Sequence, residues 1–163
     1  MKNLIIIMIF VLLILSCSET PTEPEIKYSG ITETSSAGPE PIGNIDPDDW
    51  YYHPTSINEP VQFSVAPAYP NPANRYTTLH FTIPKVDSVK VWLHDPMRDK
   101  EVILINQHLH AGTYEMQIDL LCLIDTTENC ENYSNLKEGI VRVFVDFNEE
   151  DIPLIHGDIQ IIK

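Results

Sequence analysis

The chain has 163 residues, with 24 acidic against 10 basic side chains, a formal charge of −14, 13 prolines and 3 cysteines. A chain this acidic has no electrostatic footprint for nucleic acid and is repelled by anionic headgroups, so nucleic acid is not expected as a partner and any membrane contact should come from lipid, not from a basic face. Its length gives room for one domain and a tail.

The N-terminus reads MKNLIIIMIFVLLILSCSE. Lys2 is followed by an unbroken apolar run from Leu4 to Leu15. That run falls short of the about 20 residues a membrane-spanning helix needs and suits the core of a signal peptide. It ends in Ile14-Leu15-Ser16-Cys17, which resembles the lipobox of bacterial lipoproteins. The resemblance implies a signal peptide over 1–16, acylation of Cys17 (palmitate among the chains) and the lipid bilayer as partner. An ordinary leader with an incidental cysteine, or an uncleaved anchor, stays open beside it. Ser18 in place of Asp implies the outer membrane, and Glu19, Glu23 and Glu25 resemble acidic export signals that expose lipoproteins. The expected location is therefore an outer-membrane lipoprotein, facing the periplasm or the cell surface.

Residues 17–60 read as the lipidated cysteine followed by a disordered, flexible tether. Residues 18–60 hold seven of the thirteen prolines, and Lys27 stands alone against many carboxylates. Such a segment cannot bury enough apolar surface to offset its chain entropy, so it extends and repels itself. One cluster, Asp46-Pro47-Asp48-Asp49-Trp50-Tyr51-Tyr52-His53, interrupts it. It is either a metal or ligand site or, the reading favoured here, aromatic side chains docking on the neighbouring domain.

From about residue 61 the apolar residues alternate with period two. Val61, Phe63 and Val65 begin, and Leu79, Phe81 and Ile83 follow. The turn Pro84-Lys85-Val86-Asp87 leads to Val89, Val91 and Leu93. A short apolar run at 101–105 precedes Tyr114, Met116 and Ile118; then come Val141, Val143, Val145 and Phe147, and a last strand near 154–162. Seven short strands without a helical stripe predict an all-β domain over 61–163, a single seven-stranded antiparallel sandwich. Within it, Tyr69-Pro70-Asn71-Pro72 cannot occupy a central strand, because two prolines lack N–H donors. It is expected to make a rigid corner, carrying the chain from one sheet to the other, with Asn71 bonding its own backbone.

The corner and the strand after it, Thr77-Thr78-Leu79-His80-Phe81-Thr82-Ile83-Pro84, resemble the opening of the type IX secretion C-terminal sorting domain and of the Ig-like domain of flagellar hook-capping proteins. The similarity continues through Val89-Lys90-Val91-Trp92-Leu93-His94-Asp95, Ala111-Gly112-Thr113-Tyr114 and Leu136-Lys137-Glu138-Gly139-Ile140-Val141, to the terminal Lys163. Tyr69, Pro70, Asn71, Pro72, Gly112, Gly139 and Lys163 are the positions that match the family motif. The glycine the family has before Arg-Glu-Val is absent here; Asp99, next to that step, is among the residues more tolerant of positive φ. The stretch 120–134 is an insertion relative to the family. It carries Cys122 and Cys130, an even pair in an exported chain, for which a disulfide is expected. That bond would stabilise by about 2–3 kcal/mol in the chain-entropy model.

No nucleophile elbow, phosphate loop or zinc-protease motif occurs in the sequence, so no enzyme and no cofactor are expected. His108 and His110 share a face of an extended segment but have no third ligand at metal spacing. His80, Trp92 and His94 are expected on the outer face of one hairpin, where they could grip a sugar or a protein or be covered by the tether. The function implied is a non-enzymatic, membrane-tethered lipoprotein whose Ig-like sandwich is an envelope or cell-surface interaction module for another envelope protein. The alternative implied by the family is a type IX sorting signal read by the secretion machinery.

Overall fold

The computed structural model describes residues 28, 30–50, 62–97, 99–121 and 138–163. Cys17, Cys122, Cys130, the leader and residues 51–60 lie outside the described residues. Nine strands occur among those described: β1 (Thr34–Ser35), β2 (Gly38–Pro41), β3 (Ser64–Tyr69), β4 (Tyr76–Ile83), β5 (Asp87–Asp95), β6 (Lys100–Leu109), β7 (Gly112–Asp119), β8 (Gly139–Asp146) and β9 (Ile155–Ile161). Every ladder is antiparallel, and the protein is all-β.

Seven of these strands build the sandwich, in two sheets ordered β3–β4–β7 and β6–β5–β8–β9. The period-two alternation puts Leu79, Phe81 and Ile83 of β4 and Val89, Val91 and Leu93 of β5 into one core, each at most 1% exposed. Val141, Val143 and Val145 of β8 and Ile159 of β9 join them. Burying one such side chain contributes about 1.5–3 kcal/mol. Phe81 links the layers: its ring stacks on Tyr114 at 5.3 Å in its own sheet and tilts against Phe147 at 6.3 Å from the other.

Seven sandwich strands are present as the apolar pattern predicts, the first displaced from 61–65 to Ser64–Tyr69, but two connections differ from expectation. The turn after β4 does not close a hairpin: β4 pairs with β3 and β7, whereas β5 pairs with β6 and β8 in the opposite sheet. The YPNP corner, conversely, does not change sheets, because β3 and β4 are neighbours. It reaches across to the other sheet and returns: Ala73 donates to Gln160 O and accepts from Ile162 N–H, both at 2.9 Å. Both X–Pro bonds of the corner are cis. β3 is an edge strand, which is where Pro67 and an adjoining proline corner can sit without breaking a ladder. At the β5–β6 turn Asp99 adopts φ 48, the left-handed conformation its residue type tolerates.

Over residues 30–50 the structure corrects the expectation of a tether. This segment is a strap that folds onto the sandwich, and its β1–β2 hairpin accounts for the strand total of nine. Thr32, Thr34, Asp46, Asp49 and Trp50 are buried. Thr34 donates its N–H to Asn71 O at 2.8 Å and its hydroxyl to Ala68 O at 2.7 Å, fixing the strap to the end of β3. Trp50 joins the hydrophobic core, with its ring where a side chain on Gly157 would stand. The docking role read for the Asp46–His53 cluster is thus realised by Trp50.

Candidate functional site

The strap ends on the free edge of β9, and the hydrogen bonds there alternate between two sources. Trp50 N–H donates to His156 O at 2.7 Å, and Asp158 N–H donates to Asp49 Oδ1 at 2.9 Å. Asn71 then takes over: its Nδ2 donates to Asp158 O at 2.7 Å and its Oδ1 accepts from Gln160 N–H at 2.9 Å. The backbone of Ala73 completes the edge at Gln160 and Ile162. Unpaired strand edges template association with other chains, and here that edge is occupied by the protein's own strap and corner. The second Nδ2 bond of Asn71, to Thr32 O at 3.0 Å, ties the strap to the corner. Asn71 therefore bonds three residues in two segments distant in sequence, the strap and β9; its side chain does not turn back on the local backbone as expected.

The outer face of the four-stranded sheet carries two rows set by the ladder register. Glu101, His94, Arg142 and Asp158 lie side by side across β6, β5, β8 and β9, and Ile103, Trp92, Phe144 and His156 form the next row. In the aromatic row Trp92 stacks on Phe144 at 5.0 Å and 13°, with Lys90 Nζ 4.4 Å from the Trp92 ring centre. Phe144 tilts against His156 at 6.1 Å, and Ile103 at the sheet's margin is 58% exposed. A cation over an indole contributes about 0.5–1 kcal/mol when exposed and more when desolvated.

The charge row is buried at its β8–β9 end. Arg142 Nε and Nη2 donate to the two oxygens of Asp158 at 2.7 Å each, and Tyr28 covers the guanidinium at 4.8 Å. The hydrogen bond it donates to Asp158 raises Arg142, which stays charged, while burial raises Asp158 against the pull of Arg142. Burial lowers His156 and raises Tyr28. Asp49 departs most: burial, with Asp158 and Asp46 adding, pushes it up to about 7 against the two backbone N–H groups it accepts. Tyr28 Oη, His94 Nδ1, His156 Nε2 and Trp50 Nε1 are buried without a hydrogen-bond partner among the described residues.

The expected trio of His80, Trp92 and His94 is not brought together. Trp92 and His94 share the face just described, while His80 stands between Ala66 and Glu115 on the outside of the other sheet. The reason is the sheet-crossing turn after β4. Gly112 and Gly139 open β7 and β8; a Cβ on Gly139 would press on Met97 Sδ at 2.9 Å, whereas one on Gly112 would make ordinary contact with Tyr114. Lys163 is exposed, Tyr69, Pro70 and Pro72 are half-buried, and His108 and His110 are exposed near the β6–β7 turn. The sequence reading missed Tyr28, Arg142, Phe144, His156 and Asp158, and it marked Asp49 only as part of the Asp46–His53 cluster. A trace of them was visible in opposite charges at outward positions of the last two strands, but strand register was needed to bring them opposite each other.

No family model matches the chain, and no curated protein is similar to it. Among solved structures, a β-glucosidase from Erythrobacter marinus is similar at a TM-score of 0.34 and 10% identity. The match covers 62% of this chain and 15% of that one, so the chain spans a small part of that protein's length. A likeness this distant carries no argument about function.

Proposed function

We propose that the protein is a non-enzymatic lipoprotein, held to the outer membrane through acylated Cys17, that presents its sandwich as an interaction module in the envelope or at the cell surface. The observation that supports this reading is the strip of Lys90, Trp92 and Phe144, with exposed Ile103 beside it, on a four-stranded sheet. Stacked aromatic rings with a cation above them, on a paired sheet, suit recognition of a partner surface better than chemistry. Next to that strip Arg142 and Asp158 are paired with each other, and Asp49 of the strap accepts from the backbone of β9. Mass spectrometry of the mature protein tests the anchor: an acylated Cys17 supports it, and an unmodified N-terminus elsewhere overturns it. Pull-down from envelope extracts with the wild type and with Trp92→Ala tests the face; equal recovery of every partner would exclude it.

The alternative is that residues 61–163 act as a type IX sorting signal. It draws on Asn71, through which the family-like corner and the C-terminal strand form one unit that a secretion machine could read. Cleavage of the C-terminal domain from the surface-exposed product would favour it. An intact C-terminus on the mature protein favours the interaction module.

A further inference from the structure

The strap leaves a hollow where it meets β3. A cavity of about 200 Å³ lies there, walled by Pro39 and Ile45 of the strap, Trp50 and Pro67 of β3, with Glu40 and Asp49 also on its lining. Prolines carry no N–H, so the wall is mostly hydrocarbon. An apolar protein cavity of about 150 Å³ holds a benzene ring, so this one has room for a side chain of several methylenes.

The two carboxylates lie at different depths. Glu40 is exposed, whereas Asp49 is 6% exposed. Asp49 Oδ2 accepts from Thr32 N–H at 3.1 Å, and Oδ1 accepts from Asp158 N–H at 2.9 Å. Burial works against the charge of Asp49 and those two N–H groups favour it, but they carry no net charge of their own. Among the described residues neither Glu40 nor Asp49 enters an ion pair. Arg142 lies within electrostatic reach of Asp49, while its Nε and Nη2 are bonded to Asp158. Residues 30–50 hold five acidic side chains and no basic one, so the field around the hollow attracts cations. Ile45 in its wall and Ile42, next to Pro41 of the lining, are 66% and 68% exposed.

We propose that this hollow receives a lysine side chain from a partner protein, its methylenes against the proline and isoleucine wall and its ammonium facing Glu40 and Asp49. Lysine combines an apolar stem with a cationic tip, which is the combination this lining presents in reverse. A wholly apolar guest would strip water from the carboxylates and return no opposite charge. The exposed isoleucines then begin the contact surface around the lysine, as an apolar rim does around an anchoring side chain. The site shares no residue with the Trp92 strip, so it stands whether or not that face binds a partner.

The test uses the full chain carrying Trp92→Phe, in which Trp50 is the one remaining tryptophan and reports from the cavity wall. Three probes are titrated at constant ionic strength: acetyl-glycyl-lysyl-glycine amide, the same peptide with norleucine in place of lysine, and n-butylammonium. The lysine peptide should shift Trp50 emission saturably. Norleucine keeps the stem and lacks the charge, and its peptide should bind about tenfold more weakly, the equivalent of about 1.4 kcal/mol. Glu40→Gln changes an exposed residue and should weaken the lysine peptide about threefold without affecting the norleucine one. Asp49→Asn should weaken it further. Absence of saturation by the lysine peptide, equal binding of the norleucine peptide, or unchanged binding in Glu40→Gln overturns the proposal. Binding of n-butylammonium without binding of the lysine peptide also overturns it, because the hollow would then take a free amine and not a partner's side chain. Calorimetry of the wild type with the same probes covers the case in which Trp92→Phe disturbs the sheet, and Glu40→Gln covers the case in which Asp49→Asn does not fold.

Discussion

Asn71 is fully buried and spends both its side-chain donors and one acceptance on other segments: two donations, to Thr32 O and Asp158 O, and one acceptance, from Gln160 N–H. Asn71→Ala would leave two carbonyls and one N–H without partners, each costing about 1–3 kcal/mol when it stays dry. The costs overlap, and a net loss of about 3 kcal/mol is expected, read as a shift of the urea midpoint at constant slope. Asn71→Asp should be worse, since a carboxylate can still accept from Gln160 but faces two carbonyl oxygens. If Asn71→Ala proves neutral, the clamp is not what holds the corner. The sequence singled this residue out through its motif and then misjudged its reach. An Asn between two prolines looks local, because nothing in the chain marks which distant strand will run past it. Gly157 is the complementary case. Its Cβ space is filled by the Trp50 ring, so Gly157→Ala must displace Trp50. Trp50→Ala alone should cost about 3–5 kcal/mol as a core truncation. In that background Gly157→Ala should cost far less than in the wild type, and a double-mutant cycle with no coupling would show that the two do not share the site.

At the scale of elements, most of the sandwich strands were readable because they alternate apolar and polar residues, a period that survives whichever strand lies next door, while β6 was marked by a short apolar run. Pairing was not readable. Four residues from Pro84 to Asp87 look like a hairpin turn, yet they bridge two sheets, and this alone separates His80 from Trp92 and His94. The strap was hidden for a different reason. Its composition is that of a tether, and its attachment rests on backbone bonds, two side chains (Thr34 and Asp49) and one indole, none of which repeats with a period. Its importance can be measured by removing it. A chain beginning at residue 51 would lose both Trp50 and Asp49 from the edge of β9 while Asn71 and Ala73 remain. That half-open edge should make the truncated protein self-associate in size-exclusion chromatography, whereas the chain retaining residue 28 onward stays dispersed. Identical elution of the two would mean the strap is not an edge cover.

For the whole molecule, the strap changes how far the domain can stand from a membrane. A tether running to residue 60 would place the sandwich at the end of a stalk of more than forty residues. With residues 30–50 folded onto β3 and β9, and Tyr28 already over Arg142, the span left between Cys17 and Tyr28 is eleven peptide steps. Fully extended, that reaches at most about 40 Å, little more than the width of a domain whose radius of gyration is about 13 Å. Lipidation at Cys17 would therefore hold the sandwich beside the leaflet, and partners would have to lie within that layer. The net charge of −14 keeps the domain from adhering to anionic headgroups, so the tether's length sets the gap. Neutron reflectometry on supported bilayers bearing the acylated protein would read this directly. The protein layer should be centred within about 50 Å of the headgroups, the sum of reach and radius. A flexible Gly/Ser insertion after residue 24 should move it outward. A native layer lying well beyond that distance would mean that the strap releases the sandwich at the membrane.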